Sequence, residues 1–286
     1  MSNQDKIFWI SSYPKSGNTW MRSIIASLFF SEDGNFKFEL FKKISSFEKH
    51  KFYNFVKEKN DKDFNELQKT EVISKYWIEA QKNMSIDGGA VFLKTHNANI
   101  SVNNHKFTNS DLSMGLIYLI RNPLDVCVSY SNHLGINIDE TINFMISDKT
   151  LTFFEDPKKN RYPVPLGRWD NHINSWKKLN VPKLLIKYED LLLNTESILK
   201  KIINFFEKDL NIMIQNKEIK LKNVKKTTKF EFMKDYEKKY GFDEAQKNVV
   251  FFRSAQKDEW KKILNNNQKD IIINEFGLVM KDYNYI

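Results

Sequence analysis

Lys15, Ser16, Gly17, Asn18 and Thr19 form a short run of residue types suited to holding an anion. The apolar residues Ile7, Phe8, Trp9 and Ile10 precede them and read as a buried strand. Trp20, Met21, Ile24, Ile25, Leu28 and Phe29 follow at helical spacing. A small-residue loop between strand and helix leaves backbone N–H groups unpaired at the helix start, where the dipole also favours negative charge. Lys15 adds a full positive charge, and the hydroxyls of Ser16 and Thr19 add donors. Residues 7–20 therefore read as a phosphate cradle.

Other chemistry-bearing residues stand at the ends of apolar runs. Lys94 and His96 follow Ala90–Leu93, Arg121 follows Gly115–Ile120, and Tyr188 follows Leu184–Lys187. The chain has five arginines among its 45 basic residues, so each one carries information; the planar guanidinium fork suits bidentate phosphate binding. The first loop is not a Walker A motif, because its lysine precedes the single glycine. No strand ends in an evident magnesium-binding aspartate, which weakens a kinase reading.

Positioning these groups takes alternating strands and helices. Residues 31–85 suggest short amphipathic helices over a core. Asp87-Gly88-Gly89 signals a turn before the second strand. Pro123 suits the first turn of a helix after the third strand, with Asp125 near its N-terminus. Residues 134–168 read as a long loop, Trp169–Leu179 as a helix, and Leu184–Lys187 as a fourth strand running on towards Leu191. Ser197–Phe206 reads as a helix, 216–229 as a polar link, and 234–250 as polar and patternless. Asp258–Leu264 and Lys269–Phe276 read as closing helices. The pattern predicts one α/β domain over residues 1–286, with a mostly parallel central sheet flanked by helices. Ligands of such sheets lie beyond the carboxyl ends of the strands, where all these groups are expected to face one crevice.

Bulk properties narrow the function classes. Over 286 residues, 41% hydrophobic and 28% charged content is ordinary for a globular protein. The single cysteine, Cys127, excludes an internal disulfide framework and a thiolate metal cluster, and fits a reducing compartment. No apolar run is long enough to span a bilayer, and the polar MSNQDK start carries no signal-peptide pattern, so a cytoplasmic setting is expected. The net charge of +9 comes with lysines dispersed along the chain, so nucleic acid is not an expected partner.

The motifs resemble those of the cytosolic-type sulfotransferases, whose fold is like that of the P-loop nucleoside triphosphate hydrolases. Tyr13–Trp20, YPKSGNTW, resembles their 5′-phosphosulfate loop. Ile120–Tyr130, IRNPLDVCVSY, resembles their 3′-phosphate segment, R-N-x-x-D-x-x-V-S. Lys94-Thr95-His96 matches their K-T-H and Tyr188-Glu189-Asp190 their Y-E-D, while Thr228-Lys229-Phe230 with Met233 resembles T-S-F-x-x-M. Phe252-Arg253 through Trp260-Lys261 lies where the family has R-K-G-x-x-G-x-W-K. These matches run in order from residue 7 to about residue 261.

The resemblance implies sulfuryl transfer from 3′-phosphoadenosine 5′-phosphosulfate (PAPS) to a hydroxyl or amine, releasing adenosine 3′,5′-bisphosphate (PAP), with no metal. It implies His96 as general base, Lys15 on the leaving oxygen and Lys94 on the sulfuryl oxygens. Lys15, Ser16, Gly17, Asn18 and Thr19 would hold the 5′-phosphate; Arg121, Ser129, Arg253, Ser254 and Ala255 would meet the 3′-phosphate. Trp20 and Phe230 would sandwich adenine, with Thr228 and Tyr188 as polar contacts. Arg253-Ser254-Ala255 departs from R-K-G, and Lys229 replaces a small hydroxyl residue. The dimer motif K-x-x-x-T-V-x-x-x-E is absent, which leaves oligomeric state open. The expected acceptor is a small organic molecule, with a glycan or lipid as the wider class. The rivals are a nucleotide or nucleoside kinase and a non-catalytic nucleotide-binding protein.

Several residues also have plain structural readings. His172 reads as packing with Trp169 and Trp176, and His50 and His105 as solvated. His133 lies one turn beyond Ser129 and is open to an acceptor-facing role. Asp125 suits a helix cap. Glu189 and Asp190 read as a strand-borne structural pair, and Phe153, Phe154 and Tyr162 as either acceptor lining or loop pins.

Overall fold

Ile7–Ser12 (β1) is buried along its whole length, as its apolar run requires. The computed structural model describes residues 6–56, 67–84, 90–152, 161–242, 250, 252–253 and 256–286. The turn signal at Asp87-Gly88-Gly89 and the loop aromatics Phe153 and Phe154 lie outside the described residues. Contacts divide the chain into two compact units, one of residues 1–13, 44–118 and 147–185, the other of 14–43, 119–146 and 186–286.

Most residues of the sheet belong to the first unit. The sheet's strands are β1, β2 (Ser45–Ser46), β3 (Val91–Thr95), β6 (Ser113–Ile120) and β9 (Lys183–Lys187), in the order β2-β3-β1-β6-β9. β1 runs parallel to β3, with Ile7 opposite Val91 and Ser11 opposite Thr95, and β2 runs parallel to β3. Among the described residues two antiparallel pairs lie outside this sheet, β4 (Ser101–Val102) with β5 (His105–Lys106) and β7 (Leu151–Thr152) with β8 (Val164–Pro165). Trp9 anchors the core: its ring lies 5.5 Å from Phe47, 5.4 Å from Phe107 and 5.9 Å from Trp176. Its indole N–H donates to Ser113 Oγ at 3.0 Å, which satisfies the buried polar atom. Helices α2 (Thr70–Ile73), α3 (Trp77–Lys82) and α6 (Trp169–Lys177) belong to this unit. Residues 31–85, expected as short amphipathic helices, include α2, α3 and short 3-10 turns among the described residues.

The second unit is mainly helical. α1 (Asn18–Phe30) and α4 (Pro123–Leu134) start where the sequence indicates. Asn122 caps α4, its side chain accepting from Leu124 N–H at 3.0 Å, and Pro123 fills the first turn. α5 is Ile138–Ile146, α7 Tyr188–Leu193, α8 Thr195–Asn204, α9 Lys217–Thr227, α10 Phe230–Tyr240, α11 Trp260–Ile263 and α12 Asn266–Asp282.

Four expectations are corrected. Residues 134–168 include α5, which buries Thr141, Ile142 and Met145, and the β7–β8 pair. Residues 216–229 are not a link, because α9 buries Val224 and the stem of Lys220, whose ammonium donates to the Leu28 carbonyl at 2.7 Å. The first part of 234–250 belongs to α10. The fourth strand ends at Lys187, and Tyr188, Glu189 and Asp190 form the first turn of α7. Glu189 and Asp190 therefore do not alternate across a sheet.

Candidate functional site

In the second unit the anion loop is held in shape by its own backbone. Lys15 has φ 64° and Gly17 has φ 95°, both in the left-handed region. A Cβ on Gly17 would lie 2.7 Å from Tyr188 Cδ2, so both the dihedral and the close ring require glycine. Gly17 precedes α1, and no side chain caps that helix or places a carboxylate in its first turn. Side chains therefore leave the dipole at its N-terminus uncompensated, the kind of helix end that suits an anion. Ser16 is fully buried, and its hydroxyl has no hydrogen-bond partner among the described residues.

Arg121 ties the loop to the following segments. Buried, it donates from Nη1 to the Lys15 carbonyl at 3.0 Å and from Nη2 to the Gln256 carbonyl at 3.2 Å. Its guanidinium stands 4.5 Å over the Tyr188 ring. Trp20 meets the same ring edge-on at 6.2 Å. Lys15, Gly17, Trp20, Arg121 and Tyr188 are thus brought together. Burial raises the Tyr188 hydroxyl above its ordinary pKa.

Carboxylates hold the supporting backbone. Glu189 accepts from Asn122 N–H at 2.9 Å and from the Tyr285 hydroxyl at 3.0 Å, and its burial raises its pKa. Asp125 accepts from Asp258 N–H at 2.9 Å and Trp260 N–H at 3.1 Å, with burial again raising its pKa. Asp125 thus pins the segment after Arg253 instead of capping α4. Asp258 takes φ 63° where the motif has its second glycine, a conformation aspartate tolerates better than most residues. Arg253 forms a bidentate ion pair with Glu259.

The remaining predicted nucleotide contacts are more dispersed. Phe230 packs against Phe252 at 6.3 Å, beside Phe36 and Met233. Thr228 is buried, and its hydroxyl donates to the Val224 carbonyl at 2.8 Å. Ser129 lies half-buried on α4, as does His133, whose ring stacks on Tyr130 at 6.2 Å. Ser254 and Ala255 lie outside the described residues.

In the first unit, Lys94 is buried on β3 opposite Ile10 of β1. His96 follows the strand, half-buried, with Nδ1 2.8 Å from the Ser12 carbonyl. A carbonyl can only accept, so Nδ1 carries the proton and Nε2 is the basic ring nitrogen. The His96 backbone is held on both sides. Its N–H donates to Glu48 Oε1 at 3.4 Å, and its carbonyl accepts from His172 Nε2 at 2.9 Å. Glu48 Oε1 also accepts from Thr95 Oγ1 at 2.5 Å and Asn97 Nδ2 at 2.8 Å, while Oε2 accepts from Ser46. His172 is fully buried, accepts from the Tyr118 hydroxyl at 2.8 Å, and has its pKa lowered to about 4 by burial. It packs as expected and also supports the His96 peptide, a contact its helical spacing with Trp169 and Trp176 does not reveal.

His50 is half-buried with its ring 4.3 Å from Tyr162, which corrects its solvated reading, and His105 is half-buried on β5. Tyr162 is buried and donates its backbone N–H to the Glu48 carbonyl at 2.9 Å, so it pins the loop. Glu48, Gln256, Glu259 and Tyr285 were not singled out from sequence. Of these, Gln256 and Glu259 lie inside a motif, at positions its pattern leaves variable. No group of three or more His, Cys, Asp or Glu side chains suited to a metal occurs among the described residues, and no described helix is long and apolar enough to cross a membrane.

Residues 5–284 match the family model described as a sulfotransferase domain. Luciferin sulfotransferase of Photinus pyralis is 27% identical over 239 residues, covering 81% of this chain and 58% of that protein. Sulfotransferase 1B1 of Canis lupus familiaris is 35% identical over 122 residues, covering 42% of this chain and 37% of that protein. These matches span about half the length of the relatives. Retinol dehydratase, solved with retinol and PAP, superposes with TM-score 0.62 at 17% identity, over 99% of this chain and 83% of that chain, a likeness of fold. With the family model matched across almost the whole sequence, the chain belongs to the sulfotransferase domain family.

Proposed function

We propose that the chain, acting as one catalytic domain over residues 1–286, transfers a sulfuryl group from PAPS to a hydroxyl or amine of a small organic acceptor. The observation that carries this reading is the anchoring of His96 Nδ1 on the Ser12 carbonyl, which leaves Nε2 as the base. PAPS supplies the activated sulfuryl group. His96 Nε2 takes the acceptor's proton as the acceptor oxygen or nitrogen bonds to sulfur. Lys15 offsets charge on the departing 5′-phosphate oxygen, and Lys94 steadies the sulfuryl oxygens.

Lys15, Ser16, Gly17, Asn18 and Thr19 bind the 5′-phosphate in this proposal; the uncapped start of α1 and the unpartnered Ser16 hydroxyl support it. Arg121, Ser129, Arg253, Ser254 and Ala255 take the 3′-phosphate, with Glu259 competing for Arg253. Trp20 and Phe230 flank adenine beside Tyr188. Thr228 has committed its hydroxyl hydrogen to Val224 and offers an acceptor oxygen. PAP in the retinol dehydratase structure supports the nucleotide, and the luciferin relative supports a small organic acceptor. The lone cysteine supports a cytoplasmic setting.

The test is a thermal-shift comparison of PAP with ATP and magnesium, followed by a PAPS-coupled screen over phenols, steroids, amines, lipids and sugars. PAP at about 100 times its Kd should raise the midpoint by several degrees. Stabilisation by ATP with magnesium, and none by PAP, favours the kinase instead.

A further inference from the structure

Arg121 and Asn122 are held through Glu189 by Tyr285, a residue that no nucleotide motif includes. Glu189 is buried at the first turn of α7 and spans two partners. One carboxylate oxygen accepts the Asn122 backbone N–H at 2.9 Å, immediately after Arg121. The other accepts the hydroxyl of Tyr285 at 3.0 Å. Tyr285 is fixed independently: its backbone N–H donates to the Met280 carbonyl at 2.9 Å, and Lys187 stands 4.6 Å over its ring. The same lysine donates to the Tyr283 carbonyl. Arg121 in turn spends two N–H groups on the carbonyls of Lys15 and Gln256. Its Nε has no hydrogen-bond partner among the described residues. A guanidinium so constrained can meet a phosphate only if its own backbone is placed accurately.

We propose that Tyr285 is a positioning residue for recognition of the donor's 3′-phosphate, acting through Glu189 on the Asn122 amide and so on Arg121. The proposal rests on the PAPS reading above. A buried carboxylate oxygen deprived of its donor turns to find another. The Asn122 contact is then lost or distorted, and the guanidinium shifts with its backbone. A 3′-phosphate registers that shift, and a nucleotide lacking one does not.

The experiment measures Kd by calorimetry on the full chain for PAP and for adenosine 5′-monophosphate. Tyr285→Phe removes one oxygen and keeps the ring under Lys187. It should weaken PAP about fivefold, the worth of one hydrogen bond, and leave adenosine 5′-monophosphate within about twofold. In a Glu189→Leu background, Tyr285→Phe should add nothing. Equal losses for both nucleotides, additive losses, or an unchanged Tyr285→Phe overturn the positioning role. Wild-type protein that binds no PAP overturns the donor reading itself. If Glu189→Leu does not fold, the Tyr285→Phe selectivity ratio decides the matter alone.

Discussion

Gly17 shows how a single residue sets both the backbone of a loop and the packing beside it. Its φ of 95° turns the loop into α1, and its missing side chain makes room for Tyr188, on which Arg121 rests. Gly17→Ala should cost about 1–3 kcal/mol in denaturant unfolding, from backbone strain and the ring clash, and should weaken PAP more than tenfold. Wild-type stability and affinity in that variant contradict the proposed packing of the loop. Lys15, Gly17, Arg121 and His96 were legible in the sequence because each sits where a short apolar run meets a polar turn. Glu48 was not: it lies in the turn after the two-residue β2, where no periodicity marks it, and it meets His96 from 48 residues away. Tyr285 was invisible for a similar reason, since its partner Glu189 lies 96 residues away.

At the scale of elements, α4 is a clamp as much as a scaffold. Asp125 in its first turn holds the Asp258 and Trp260 amides, and so fixes the stretch from which the Gln256 carbonyl reaches Arg121. Asp125→Ala leaves two amides without their acceptor and frees that stretch. PAP affinity should fall about tenfold or more in a calorimetric titration, with adenosine 5′-monophosphate less affected. Equal affinity for PAP in the variant removes Asp125 from the supporting structure. Elements with a continuous apolar run or a broad apolar face were readable from sequence, as β1, β3, α1 and α6 show. α9 was not, because of its eleven residues only Lys220 and Val224 are buried, too few for an apolar face. The start of α7 was misassigned because Lys187 to Asp190 carries neither a glycine nor a proline to mark the end of β9, and Leu191 reads as a further apolar strand position. Glu189 was therefore expected on a strand and is found in a helical first turn.

At the scale of the molecule, stability carries the signature of His172. Burial lowers its pKa to about 4, below the ordinary histidine value near 6.5. Between these values the unfolded chain takes up a proton that the folded chain does not, so folding stability falls as pH drops from 6.5 through 4. The loss attributable to this group is about 3 kcal/mol, and urea unfolding across that range should show a flatter dependence in His172→Phe than in wild type. An identical pH dependence in both proteins means that His172 is charged in the folded state. The same network bears on the proposed catalysis, because His172 supports the peptide of His96, the proposed general base. The most direct measurement is donor-dependent transfer by His96→Ala beside its PAP affinity, with an acceptor found in the screen. With His96 as the general base, transfer should fall about 100-fold or more while PAP affinity stays within about threefold of wild type. Transfer at the wild-type rate contradicts the assignment of His96 as the base.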